Sequence, residues 1–119
     1  MTRMKLDKLD LIVRDVPAAA AFFRDVVGLE LSVSYETYAE LKAGDVTLML
    51  SPSALVPTQP ARGVILHLQV EDVRTALEHA RNKGAIVLLE PTVTDWGTEA
   101  AMIAGPEESI VEFYRNIEG

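Results

Sequence analysis

At 119 residues, with 49% hydrophobic and 24% charged side chains, the chain has the make-up of a single ordinary globular domain. Its 11 basic and 18 acidic residues give a formal net charge of -7, which argues against a nucleic-acid or anionic-membrane partner and favours cationic ligands. With no cysteine, disulfides, thiolate metal sites and thiolate nucleophiles are excluded.

The opening MTRMKLDKLDLIVRD is too interrupted by charge for a signal peptide, and the longest uncharged apolar run, VPAAAAFF, is far short of a membrane span. A soluble cytoplasmic protein is the expectation. Residues 5–14 alternate, with Leu9, Leu11 and Val13 on one face and Lys8, Asp10 and Ile12 on the other, as in a half-buried strand. Asp15 offers a helix cap, Pro17 suits a first turn, and AAAAFFRDVV continues as a helix that stops at Gly28. Strands are predicted at 29–35 (LELSVSY), 37–42 (TYAELK) and 46–51 (VTLMLS). Residues 52–62 carry three prolines and form a linker.

The pattern then starts again. Residues 64–70 alternate, with Leu66, Leu68 and Val70 opposite Ile65, His67 and Gln69; Asp72 caps VRTALEHARNK, which ends at Gly84. Strands follow at 85–89, 98–104 and 109–115. VRDV at 13–16 matches VEDV at 70–73, and the spans 15–28 and 72–84 differ by one residue. The fold class is therefore α+β, built from two βαβββ modules at 1–51 and 63–119. Neither open sheet covers its own inner face, so two copies, in one chain or exchanged between two, are needed to close curved mixed sheets around a concave groove.

In the last strand, Val111 and Phe113 share an apolar face suited to packing on helices, while Ile110, Glu112 and Tyr114 share the other. A carboxylate on an inner sheet face holds a metal, binds a cation or moves a proton. Phe22 and Phe23 belong to a helix core, His79 lies off the stripe of Val73, Ala76, Leu77 and Ala80 and is solvated, and Glu107-Glu108 forms a solvated turn. No GxGxxG, P-loop, GxSxG or HExxH pattern occurs, so nucleotide, phosphate-cradle, serine-hydrolase and zincin chemistry lack local support.

The paired modules, the opening LDLIVRDVPAAAAFFRDVVGLEL, the unit VEDVRTALEHARNKGA and the ending WGTEAAMIAGPEESIVEFY resemble the vicinal oxygen chelate superfamily, the glyoxalase, bleomycin-resistance and extradiol-dioxygenase group. The resemblance covers nearly the whole chain and implies the fold. It leaves function open among isomerases, lyases, dioxygenases and proteins that only bind. Enzymes of that family hold a divalent metal with side chains from the first and last strand of each module, which fall here on Lys8, Met49, Ile65 and Glu112. Only Glu112 is a carboxylate or imidazole; an ammonium and an alkyl group offer no lone pair, and a thioether is a poor ligand for hard or borderline metals. No cofactor is expected, with a divalent metal at a displaced Asp10, His67, Glu112 triad as the alternative.

The vacant ligand positions, the acidic balance and the Trp96 loop lead to the expectation of a metal-independent protein resembling the antibiotic-sequestering branch of that family, one that binds or sequesters a small aromatic or cationic molecule, an antibiotic being one candidate. The expected ligand-contacting residues are Lys8, Asp10, Tyr38, Met49, His67, Trp96, Glu112 and Tyr114, with Tyr35 a further aromatic candidate. Glu112 pairs with Lys8 or contacts ligand, and His67 bonds Asp10 or Gln69. Trp96 either caps the core or lines the groove, where bleomycin-resistance-like members carry a similar Trp-Gly. The competing reading is an enzyme, a lyase, isomerase or dioxygenase using the displaced metal site, or metal-free chemistry with His67 as base and Asp10 orienting it. An assembly-only subunit leaves a polar inner face unexplained. The family implies a homodimer, with modules possible to exchange between subunits.

Overall fold

The computed structural model describes residues 4–59 and 63–117; residues 60–62, the end of the expected linker, lie outside the described residues. The chain divides into two compact units, Met1–Pro60 and Ala61–Gly119. Each runs strand, helix, then three strands, so the repeat seen in the sequence is a repeat in structure.

In the first unit β1 (Lys8–Ile12), β2 (Glu30–Tyr35), β3 (Tyr38–Ala43) and β4 (Val46–Ser51) form one mixed sheet in the order β1-β4-β3-β2. Only the β1/β4 pair is parallel. The helix α1 (Val16–Ala21) is capped by the Asp15 carboxylate, which accepts from the Ala18 N–H at 3.0 Å. It does not continue as a plain α-helix: Phe22–Val27 widens into a π-helical segment in which the Gly28 N–H reaches the Phe23 carbonyl at 3.0 Å. Gly28 then turns left-handed, with φ of 95°, and stops the helix. Val16, Ala19, Ala20, Phe23 and Val26 of the helical segment are buried, as are Leu11, Ala39, Leu41, Leu48 and Leu50 of the sheet, and α1 packs on β2, β3 and β4. Phe22 meets Phe23 edge to face at 5.2 Å, and Phe23 is fully buried.

In the second unit β5 (Ile65–Gln69), β6 (Val87–Val93), β7 (Thr98–Ala104) and β8 (Ile110–Asn116) form a sheet in the order β5-β8-β7-β6, again with one parallel pair, β5/β8. The helix α2 (Val73–Asn82) buries Val73, Leu77 and Ala80. Its cap Asp72 accepts from the Thr75 N–H at 3.1 Å, and this hydrogen bond holds the Asp72 carboxyl below its usual range. Beneath the helix lie Ala101, Ile103, Val111 and Phe113, so the apolar side of the last strand packs as its alternation predicts. His79 is exposed, as expected from its place off the apolar stripe.

One strand differs from the sequence reading. The sixth was expected to end at Leu89 before Pro91, yet it runs to Val93. It pairs only with β7, so Pro91 occupies an edge strand, where a missing N–H costs no ladder bond to a second neighbour.

Between β7 and β8, Gly105 lies where no side chain fits: a Cβ there would stand 2.5 Å from the Ser109 hydroxyl oxygen and 3.3 Å from the Ser109 carbonyl oxygen. Ser109 is itself buried and donates to the Pro106 carbonyl at 2.6 Å, so it cannot swing away freely. Gly105→Ala is expected to destabilise the protein by about 2 kcal/mol, the ordinary cost of overpacking, measured by urea denaturation. No helix among the described residues is long and apolar enough to cross a membrane.

Candidate functional site

In the second unit β8 lies between β5 and β7, so every β8 side chain has a neighbour on each flank. The register sets His67 and Met102 on either side of Glu112, and Gln69 and Ala100 on either side of Tyr114. Because Val111 and Phe113 face α2, alternation turns Glu112 and Tyr114 to the face that α2 leaves uncovered. Glu112 is only 8% exposed there. A carboxylate so enclosed needs a partner, and it has one: His67 Nδ1 lies 2.6 Å from Glu112 Oε2. The His67 side chain remains 55% exposed, and its ring stands edge-on to Tyr114 at 6.4 Å between centroids. The pair thus joins a covered acid to an imidazole that faces outward.

The first unit repeats this register with different chemistry. Asp10 of β1 sits opposite Met49 of β4, and Met49 opposite Glu40 of β3. Asp10, Met49 and Glu40 therefore hold the places of His67, Glu112 and Met102. The Tyr38 hydroxyl donates to Glu40 Oε2. That bond, then burial, then the charges of Glu40 and Asp10 push the Tyr38 phenol up to about 12. Lys8 lies one step back along the sheet, opposite Thr47, and Ile65 likewise opposite Ile110.

A raised phenol pKa binds its proton more tightly in the folded state. Any stabilisation from the Tyr38–Glu40 bond is therefore complete below the unfolded phenol's pKa near 10 and fades as pH climbs toward about 12. Ultraviolet titration is expected to show one tyrosine ionising last, a component that Tyr38→Phe removes and Glu40→Gln shifts toward 10.

Several side chains named from sequence now have definite places. Lys8, Asp10, Tyr38 and Met49 belong to the first unit, and His67, Trp96, Glu112 and Tyr114 to the second. His67 and Glu112 are brought together directly. The two-residue offset between Ile65 and His67 is no obstacle, because parallel pairing aligns His67 itself with Glu112. Within the second unit the acid has His67 as its partner, and the imidazole has Glu112 rather than Gln69. Trp96 is no cap over the core, being 75% exposed on a tight turn. That turn is pinned by the Thr94 and Thr98 hydroxyls at 2.8 Å and by the Ile117 N–H on the Gly97 carbonyl at 2.9 Å. Tyr35 is 69% exposed at the β2–β3 turn.

Glu40 and Met102 were not picked out beforehand, although alternation in TYAELK and TEAAMIA sets each on the face its helix leaves bare. Glu99 was also missed. It sits on the helix side of β7, 8% exposed, held by Arg115 Nε at 2.9 Å and Arg74 Nε at 3.6 Å.

His67 and Glu112 are two potential metal donors bonded to each other; in the first unit the matching register positions hold Asp10, a further carboxylate, and Met49, whose thioether is a poor ligand for hard or borderline metals. No group of three or more His, Asp or Glu side chains suited to hold an ion occurs among the described residues.

A family model described as the glyoxalase/bleomycin resistance protein/dioxygenase superfamily matches residues 5–113. No curated protein matches the sequence. Among solved structures, one described as a conserved domain protein is 37% identical, with a TM-score of 0.87 over 95% of this chain and 99% of its own. TnmS3, an antibiotic binding protein from Streptomyces sp. CB03234, is 23% identical with a TM-score of 0.80, each chain covered over 98%. A glyoxalase/bleomycin resistance protein/dioxygenase from Nocardioides is 22% identical with a TM-score of 0.79, covering 100% of this chain and 87% of that one.

Proposed function

The chain belongs to the glyoxalase/bleomycin resistance protein/dioxygenase superfamily, and from that membership we propose that it is a metal-independent binding protein for a small planar molecule. The observation that carries this is the His67–Glu112 pair, an outward imidazole backed by a covered carboxylate. Tyr114 and Met102 border the pair and give an aromatic ligand apolar surface to lie on. The likeness to an antibiotic binding protein supports sequestration as the role: a ligand held here is kept from its target by mass action. Titration with a panel of aromatic and cationic antibiotics, followed by fluorescence of Trp96, is expected to reveal at least one ligand with affinity tighter than millimolar. Failure of every compound to bind at that level contradicts the reading.

A second reading is favoured by the same 2.6 Å contact. A carboxylate that fixes an imidazole also makes it a general base, which gives metal-free proton transfer with Glu112 in the orienting role first considered for Asp10. This reading requires turnover that disappears in His67→Ala while the circular dichroism spectrum is unchanged.

A homodimer is part of the proposal too, tested by size-exclusion chromatography with light scattering.

A further inference from the structure

Resting on the binding reading above, we infer that the ligand carries an acidic hydroxyl on its planar ring, a phenol or enol, and that this hydroxyl donates to Nε2 of His67. An ionised carboxylate only accepts hydrogen bonds, so at 2.6 Å from Glu112 the Nδ1 of His67 is the donor. In the neutral ring the remaining lone pair is then on Nε2. Among the described residues, no side chain hydrogen-bonds that nitrogen, and the His67 side chain is 55% exposed. With the ring neutral, the second unit presents one fixed, outward acceptor, strengthened by the charge behind it.

The complement of such an acceptor is a strong donor that brings little charge of its own. An alkylammonium is a donor, but it is best satisfied by carboxylate oxygens, and the Glu112 carboxylate is enclosed, with Oε2 engaged by His67. A carboxylate or phosphate ligand brings negative charge beside Glu112. A phenol brings neither problem, and if its proton passes to Nε2 the phenolate and imidazolium stay paired. The neighbours fit a flat ring: Tyr114 stands edge-on to the imidazole, Met102 lies beside Glu112, and Ala100 beside Tyr114 projects only a methyl group.

The test uses three naphthalenes substituted at the same ring carbon: naphthol, methoxynaphthalene and naphthylmethylammonium, each titrated by calorimetry against wild type and His67→Ala. His67→Ala leaves the enclosed Glu112 carboxylate without its partner, so the double variant His67→Ala with Glu112→Leu, which removes that charge as well, is titrated beside it, and circular dichroism checks that each is folded. One hydrogen bond to a charge-backed acceptor predicts that naphthol binds about tenfold tighter than its methyl ether to wild type, and about equally to His67→Ala. Equal binding of naphthol and ether to wild type overturns the hydroxyl assignment and leaves the binding reading standing. Tightest binding by the ammonium overturns it in favour of a cationic ligand. An advantage for naphthol that survives in His67→Ala overturns the role of Nε2. If none of the three binds, and no antibiotic does, the binding reading falls and this inference falls with it.

Discussion

Arg115→Ala is expected to destabilise the protein by about 3 kcal/mol, the penalty for stranding a covered charge, and to lower the melting temperature by on the order of 10 °C. Arg115 of β8 holds Glu99 of β7 at 2.9 Å, and Arg74 from the first turn of α2 approaches the other oxygen at 3.6 Å. Glu99 is nearly enclosed, whereas the Arg74 side chain is 73% exposed and spends its charge largely on water. Removing Arg115 therefore leaves the carboxylate with one weak partner. Removing the charge on the acid is milder: Glu99→Gln keeps a hydrogen-bond acceptor and leaves Arg115, 42% exposed, free to reach solvent. Replacing both, Glu99→Met with Arg115→Met, is expected to recover most of the loss, because apolar packing substitutes for a covered ion pair at little net cost. Thermal and urea denaturation of the three variants give the ordering directly; a double variant as unstable as Arg115→Ala alone contradicts it.

Glu112→Leu is expected to separate stability from function. The substitution removes a carboxylate that is 8% exposed and places an apolar side chain beside Met102. His67 loses its partner but remains half in water, so no covered polar atom is stranded. Stability should stay level or rise by about 1 kcal/mol, since a covered charge contributes little net stability over an apolar group. Ligand affinity should fall at least about tenfold, because the imidazole is no longer held in one tautomer and orientation. Glu112→Gln, which still accepts from Nδ1 without the charge, is expected to lie between wild type and Glu112→Leu. If the leucine variant unfolds, the acid serves the fold, and its place as a functional group is lost.

The repeat was legible because the same local physics appears twice: an alternating strand, an aspartate that caps a helix, a glycine that ends it. Asp15 and Gly28 did this in the first unit, Asp72 and Gly84 in the second. Lys8 and Ile65 came from counting back from the caps, but the partner across the sheet is decided by which parallel register buries Leu66, Leu68, Val111 and Phe113 best, and that is a tertiary choice. Register put His67 level with Glu112. Pro91 misled because a proline reads as a break unless the strand is known to be an edge, and strand order is absent from a linear pattern. The widening of the first helix at Phe22 leaves no mark in apolar spacing, since Phe23 and Val26 face the core either way. Glu99 was overlooked for a related reason: an acid on a helix-facing strand position looks like an error in alternation until the two arginines that hold it are placed.

The most direct measurement is calorimetric titration of chelator-dialysed protein, with metal content checked by elemental analysis, against the best antibiotic found by fluorescence. The account predicts that binding persists without metal and is unchanged when Zn, Ni, Fe or Mn is added, and that His67→Ala weakens it about tenfold. Binding that appears only after a divalent ion is restored, or that is indifferent to His67→Ala, contradicts it.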